Sequence, residues 1–205
     1  MERVALINIV KVKLDEFSPG DIGLPFDDYI GPMLDESARE VLERAPLHLL
    51  SPTAIPTAET TFLNDKAYIP VPSDYVRLYE IKYPQWKKSV RKAISAEDPQ
   101  YKIQENEYIK AGLARPAVAI VRTTLDGGAT IGRYFECGKV EENITSPPTP
   151  TALYIKTTLP EELEDILADT LTWLCTAKVL SILGYGDKAA IALEHHTQAL
   201  MALST

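Results

Sequence analysis

The apolar residues of this 205-residue chain repeat with one period at its two ends and with another in its middle. That switch limits the fold more than any other feature. A stripe spaced at about 3.6 residues covers one side of a helix, whereas an alternating run covers one face of a strand, and neither pattern serves the other element. Near the C-terminal end, LPEELEDILADTLTWLCTAKVLSILGYGDKAAIALEHHTQALMAL (Leu159–Leu203) reads as two helices joined by Gly184-Tyr185-Gly186. Thr158 and Glu161 have the spacing of a capping box, with Pro160 in the first turn, where no hydrogen bond is lost. Glu161, Glu162, Glu164 and Asp165 suit the positive end of a helix dipole. Leu163, Ile166, Leu167, Thr170, Leu174, Ala177 and Val179-Leu180 form the apolar face, Gly184 is the expected C′ residue, and Asp187 is expected to cap the last helix.

The N-terminal end has the same character. Val4, Leu6, Ile7, Val10, Leu14 and Phe17 predict a helix from Glu2 to Phe17, and SPGDIGLP (Ser18–Pro25) predicts a loop. A second helix follows, with Ile30, Leu34, Ala38, Val41, Leu42 and Ala45 as one stripe, Gly31-Pro32 in its first turn and Pro46 at its end. From Ser51 to Thr60 the composition is that of a connector. Alternation then begins: Tyr75, Arg77, Tyr79, Ile81 and Tyr83 against Val76, Leu78, Glu80 and Lys82 predict a strand, with a turn at Pro84-Gln85 and a returning strand over WKKSVRKAI. RPAVAIVRTTLDGGATIGRYFEC predicts a hairpin about Asp126-Gly127-Gly128, and a Pro-rich stretch leads to a last short strand.

The expected class is α+β. Helices of residues 1–50 and 158–205 pack as one bundle, and a β-rich insertion spans 51–157.

Charge and composition narrow the chemistry. Hydrophobic residues make up 45% and charged residues 24%, an ordinary globular balance. The net charge of −8 is concentrated at the acidic ends, with a near-neutral middle, which disfavours DNA binding through an overall basic face. Cys137 and Cys175 have no metal spacing and are expected to be reduced and buried. No signal peptide is read at the start, and no apolar run approaches the roughly 18 residues of a membrane span. His195 and His196 are neighbours on a helix and point about 100° apart, which argues against a shared metal. There is no Gly-x-Ser-x-Gly context and no phosphate loop; Asp27-Asp28 and Glu141-Glu142 read as solvated acids. No catalytic residue, metal or cofactor is expected.

One cluster stands out. Trp86, Lys87, Lys88, Arg91 and Lys92 place four bases and an aromatic within seven residues. A nucleic-acid patch would use such a mixture, with the ring stacked on bases and the cations on phosphates. The acidic remainder favours a solvated strand edge or an acidic protein partner instead.

The order of segments resembles that of head-to-tail connector proteins of tailed bacteriophages, the adaptor or ring proteins seated under the portal, with the look of those from large podophages such as the crAss-like group. The resemblance rests on IPVPSDYVRLYEIKYPQWKKSVRKAI, above all Pro72–Leu78, then on ARPAVAIVRTT with its hairpin, the short strand, and LPEELEDILADTLTWLCTAKVLSILG; it covers roughly residues 28–203 in order. It implies a structural virion protein and no enzyme: a ring of about twelve copies, a dodecamer, closed by a heterologous contact. Implied partners are the portal, the next tail or adaptor protein, and genomic DNA passing without sequence-specific binding. The implied place is the virion neck, after assembly in the host cytoplasm. Asp35, Glu36, Glu161 and Glu162 are then candidates for acids facing the channel, where like charge keeps DNA from sticking. Another assembly or tail-completion subunit is the alternative, and an enzyme with scattered catalytic residues a third.

Overall fold

The computed structural model describes residues 1–17, 26–63, 65–103, 112–125, 131–140 and 148–204. They contain α1 (Arg3–Phe17), α2 (Phe26–Arg44), β1 (Thr53–Ala54), β2 (Thr61–Leu63), β3 (Lys66–Pro70), β4 (Tyr75–Lys82), β5 (Ile94–Ser95), α3 (Pro99–Ile103), β6 (Val118–Thr123), β7 (Gly132–Gly138), β8 (Thr151–Lys156), α4 (Ala168–Ile182) and α5 (Gly186–Ala202). The protein is mixed α+β. It divides into two compact units, one of Met1–Ser51 with Thr157–Thr205 and the other of Pro52–Lys156.

In the first unit α4 touches α1, α2 and α5. Leu6, Val10 and Leu14 turn one side of α1 into the core, and the expected α2 stripe from Ile30 to Ala45 is buried. The C-terminal turn of α4 closes as a Schellman motif. Tyr185 N donates to Leu180 O at 2.9 Å and Gly184 N to Ser181 O at 3.1 Å. Gly184 sits at φ +82°, where a Cβ would be strained, so glycine is needed at this C′ position.

The start of α4 differs from expectation. Leu163 takes extended backbone (φ −70°, ψ 148°), which buries its side chain and interrupts the helix. Two short 3₁₀ turns, Pro160–Glu162 and Asp165–Leu167, precede α4. Thr158 is therefore no helix cap, and its Oγ1 is buried without a partner. The box interaction moves one residue along, with Leu159 N donating to Glu162 Oε2 at 3.2 Å. Only Asp169 lies in the first turn of α4, so the dipole accounts for this acid and not for Glu161 or Glu162. Likewise α2 begins at Phe26, which puts Pro32 inside the helix instead of in its first turn. Helix α5 opens at Gly186, with Asp187 inside its first turn.

In the second unit a five-stranded sheet has the order β2-β3-β7-β6-β5, and a three-stranded sheet the order β1-β8-β4. All pairs are antiparallel except β5 with β6. The expected hairpin is β6 with β7, in register from Val118↔Cys137 to Thr123↔Gly132; its Asp126–Gly128 turn lies outside the described residues. The simple alternation expected of β4 fails. Register shifts between Tyr75 and Arg77 and between Leu78 and Glu80 let Leu78 and Ile81, three apart, both enter the core. One apolar cluster joins Ile69 and Phe135 of the larger sheet to Leu78, Ile81 and Tyr154 of the smaller.

Two expected outcomes follow from these cores. Leu167 is fully buried, so Leu167→Asp strands a carboxylate without a partner and should cost about 3–5 kcal/mol in denaturant unfolding; an unchanged midpoint would contradict this placement. Burial, then the hydrogen bond to Asp74, pushes the Tyr154 hydroxyl from 10.0 up to about 12. Above pH 10 the unfolded chain releases this proton before the folded one does, so stability should fall with rising pH through that window. Tyr154→Phe should flatten the decline when unfolding free energy is measured against pH.

Candidate functional site

Proline at position 84 ends β4, and Trp86 N closes the turn on Tyr83 O at 3.0 Å. The chain returns through Val90, which exchanges backbone hydrogen bonds with Ile81 at 2.8 and 2.9 Å, while Lys87 N donates to Leu113 O at 2.8 Å. This anchoring decides the five residues of the basic cluster differently. Trp86 is not at the surface: it is 2% exposed, packs edge-on against Tyr83 at 5.1 Å, and donates Nε1–H to Lys139 O at 3.2 Å. An indole beside a strand end serves to close the core, so it is withdrawn from any partner. Lys87, Lys88, Arg91 and Lys92 are exposed, and no ion pair engages them among the described residues. A base-stacking platform needs the ring that has been buried, so the surface is a point-charge cluster without one.

The four candidate channel acids are largely engaged within the helical unit. Arg3 grips Asp35 with both terminal nitrogens (2.7 and 2.9 Å) and reaches Glu161 at 3.3 Å. That hydrogen bonding to Asp35 raises the Arg3 guanidinium above its usual range. Lys178 holds Glu36 at 2.7 Å and Glu40 at 2.9 Å. Glu162 accepts from the Leu159 backbone. Their first role is to tie α1, α2, α4 and the 3₁₀ turn together. Each cationic partner is shared by two carboxylates, so one negative charge remains at each cluster.

Three buried polar groups escape sequence reasoning, because nothing in a single position of an amphipathic pattern marks a charge as internal. Lys13 lies 8% exposed on the inner side of α1. Its ammonium meets Asp169 Oδ1 at 2.8 Å and Thr172 Oγ1 at 2.9 Å and sits 3.9 Å from the Trp173 ring centroid. Desolvation lowers its pKa, against the pull of Asp169. Glu136 of β7 is 8% exposed and accepts from Lys66 at 2.7 Å, Tyr68 at 3.1 Å and Tyr101 at 3.2 Å, pinning α3 to the sheet. His196 packs against α4 and donates Nδ1–H to Thr170 O at 2.9 Å, which leaves Nε2 buried without a partner. Its neighbour His195 is exposed and stacks on Trp173 at 4.5 Å, so the two imidazoles diverge. Among the described residues no group of three His, Cys, Asp or Glu could hold a metal, and no helix is long and apolar enough to cross a membrane. Cys137 and Cys175 are free and buried; burial pushes the Cys175 thiol up to about 12, far from a reactive thiolate.

Beside Lys13 an open cleft of about 300 Å³ is lined by Asn8, Ile9, Val12, Lys13, Glu16 and Trp173. The Lys13 ammonium is saturated by its own partners and points away from general-base chemistry. Asp169 stays largely in water, with 67% of its side chain exposed. Lys13→Met should therefore change unfolding free energy by less than about 1 kcal/mol, since an apolar stem replaces a desolvated charge without stranding another.

No protein-family model and no curated protein matches the chain.

Proposed function

We propose that the chain is a structural virion protein, a head-to-tail adaptor that forms a ring below the portal, extends the DNA channel and docks the tail. In this reading the helical unit is a bundle core formed from both ends of the chain, and the β-rich unit is an insertion carried by it. The observation that carries the proposal is the segment order from Asp28 to Leu203 that resembles phage connectors. The division of charge supports it. The helical unit has seventeen acids against seven bases, whereas the β-rich unit has twelve against fourteen. Unlike surfaces on one subunit suit a heterologous contact that closes by rotation. Partly exposed ionic clusters around Arg3 and Lys178 support a structural role, because they link α1, α2, α4 and the 3₁₀ turn to one another.

The acids retained on the helical unit set the expected behaviour toward DNA. Asp35 with Glu161, Glu36 with Glu40, and Glu162 each keep a residual negative charge after internal pairing. Repeated around a ring they form a weak collar, felt only within the screening length of about 8 Å at physiological salt. DNA passes such a wall without being held.

Mass photometry of the purified protein, alone and with the portal, tests the reading. Rings with a central channel by electron microscopy, either alone or on the portal, are the expected result. A chain that stays monomeric under both conditions would overturn it, as would tight, salt-sensitive binding to duplex DNA.

A further inference from the structure

We infer that the cleft between α1 and α4 receives the basic turn Lys87–Lys92 of a second copy of this chain. The inference rests on the ring reading in one respect, that copies of the chain touch one another.

The cleft has the chemistry of a lysine receptor. Ile9, Val12 and the Trp173 rim supply an apolar wall, and Glu16 supplies an anion at its edge. Val12 is 60% exposed, so the wall is open to a partner. A lysine fits both parts at once, with its methylene stem on the wall and its ammonium on the carboxylate. Asp15 and Glu16 lie in the last turn of α1, where the helix dipole is negative and no basic residue balances it. Acids there are held at an electrostatic disadvantage that a cation from outside relieves. Among the described residues neither makes a salt bridge, and the Lys13 ammonium is near enough to be influenced by the Glu16 carboxylate. That ammonium does not cancel the site, because it is already matched by Asp169 at 2.8 Å.

The occupant is argued from charge and geometry. Lys87, Lys88, Arg91 and Lys92 form an exposed cluster without internal ion pairs on an acidic chain, and backbone hydrogen bonds to Leu113 and Ile81 hold the turn rigid. A rigid cationic turn loses little entropy on docking. Since the cluster and the cleft lie on different units, one copy's β-rich unit meets another copy's helical unit, and in the ring reading that contact repeats from copy to copy.

A charge swap tests the pairing. Asp15→Lys with Glu16→Lys in one protein, and Lys87→Glu with Lys88→Glu in another, should each weaken self-association at least about tenfold by analytical ultracentrifugation. Mixing the two should restore association, because opposite charges again face each other. As a variant that adds no charge beside Lys13, Glu16→Cys mixed with Lys88→Cys should give a disulfide-linked heterodimer on mild oxidation, the native thiols being buried. Thermal melts of each variant establish that the fold is kept. If the wild-type chain assembles while both charge variants and the cysteine pair behave as if unlinked, the docking pair is wrong and the ring reading stands. Loss of assembly in both variants without restoration on mixing also overturns the pairing. A wild-type chain that never self-associates, even with the portal, removes the ring reading and this inference together.

Discussion

The helical unit depends on α4 having almost no solvent side. Thr170, Leu171, Thr172, Leu174, Cys175, Thr176, Ala177, Val179 and Leu180 are all buried, so the helix is enclosed and not merely amphipathic. An enclosed helix needs a neighbour for each face. Helix α5 folds back after the Gly184 cap and meets it with Ala189, Ala192 and His196. Helix α2 lies close enough for the Cys175 Sγ to reach Ile30 O at 3.7 Å. Helix α1 brings Lys13 to Asp169 and Thr172. Thr172 and Thr176 fit because their hydroxyls return to carbonyls one turn back, as Thr176 does to Thr172 O at 2.8 Å, whereas the Thr170 hydroxyl lies against His196 of α5.

Ion pairs act as registration on this apolar frame. Arg3 spans Asp35 and Glu161, which are far apart in sequence, and Lys178 spans Glu36 and Glu40. Partly exposed pairs of this kind add little stability one by one. They tie α1 to α2 and the 3₁₀ turn through Arg3, and α4 to α2 through Lys178. The same pairing removes charge from the surface, so the surface field is not that of the acid count. In the β-rich unit Glu136 plays the corresponding part, with a lysine and two tyrosine hydroxyls converging on one carboxylate.

Much of the secondary structure was legible because it is set locally. The α2 stripe, the β6–β7 pairing and the Gly184 C-cap each follow from side chains within a few residues of one another. The failures share a cause as well. The Thr158 cap was displaced because Leu163 is drawn into the core and breaks the helix before it starts. The alternation of β4 was broken by bulges that bring Leu78 and Ile81 to the same core. Trp86 appeared to belong with its basic neighbours, yet its apolar area favours the space under the sheets.

Sequence by itself determined which stretches carry a helical and which a strand period, the mixed α+β class, the isolation of the two cysteines, and the presence of a basic run on an acidic chain. These are properties of neighbouring residues, governed by periodicity and backbone sterics. Only the tertiary structure decided which charges are internal, which acids are already paired, and which of five clustered residues can reach a partner. Lys13 and Lys88 carry the same charge and differ only in what surrounds them. Burial and pairing are sums over residues distant in the chain, so a local pattern leaves them undetermined until the core is assembled.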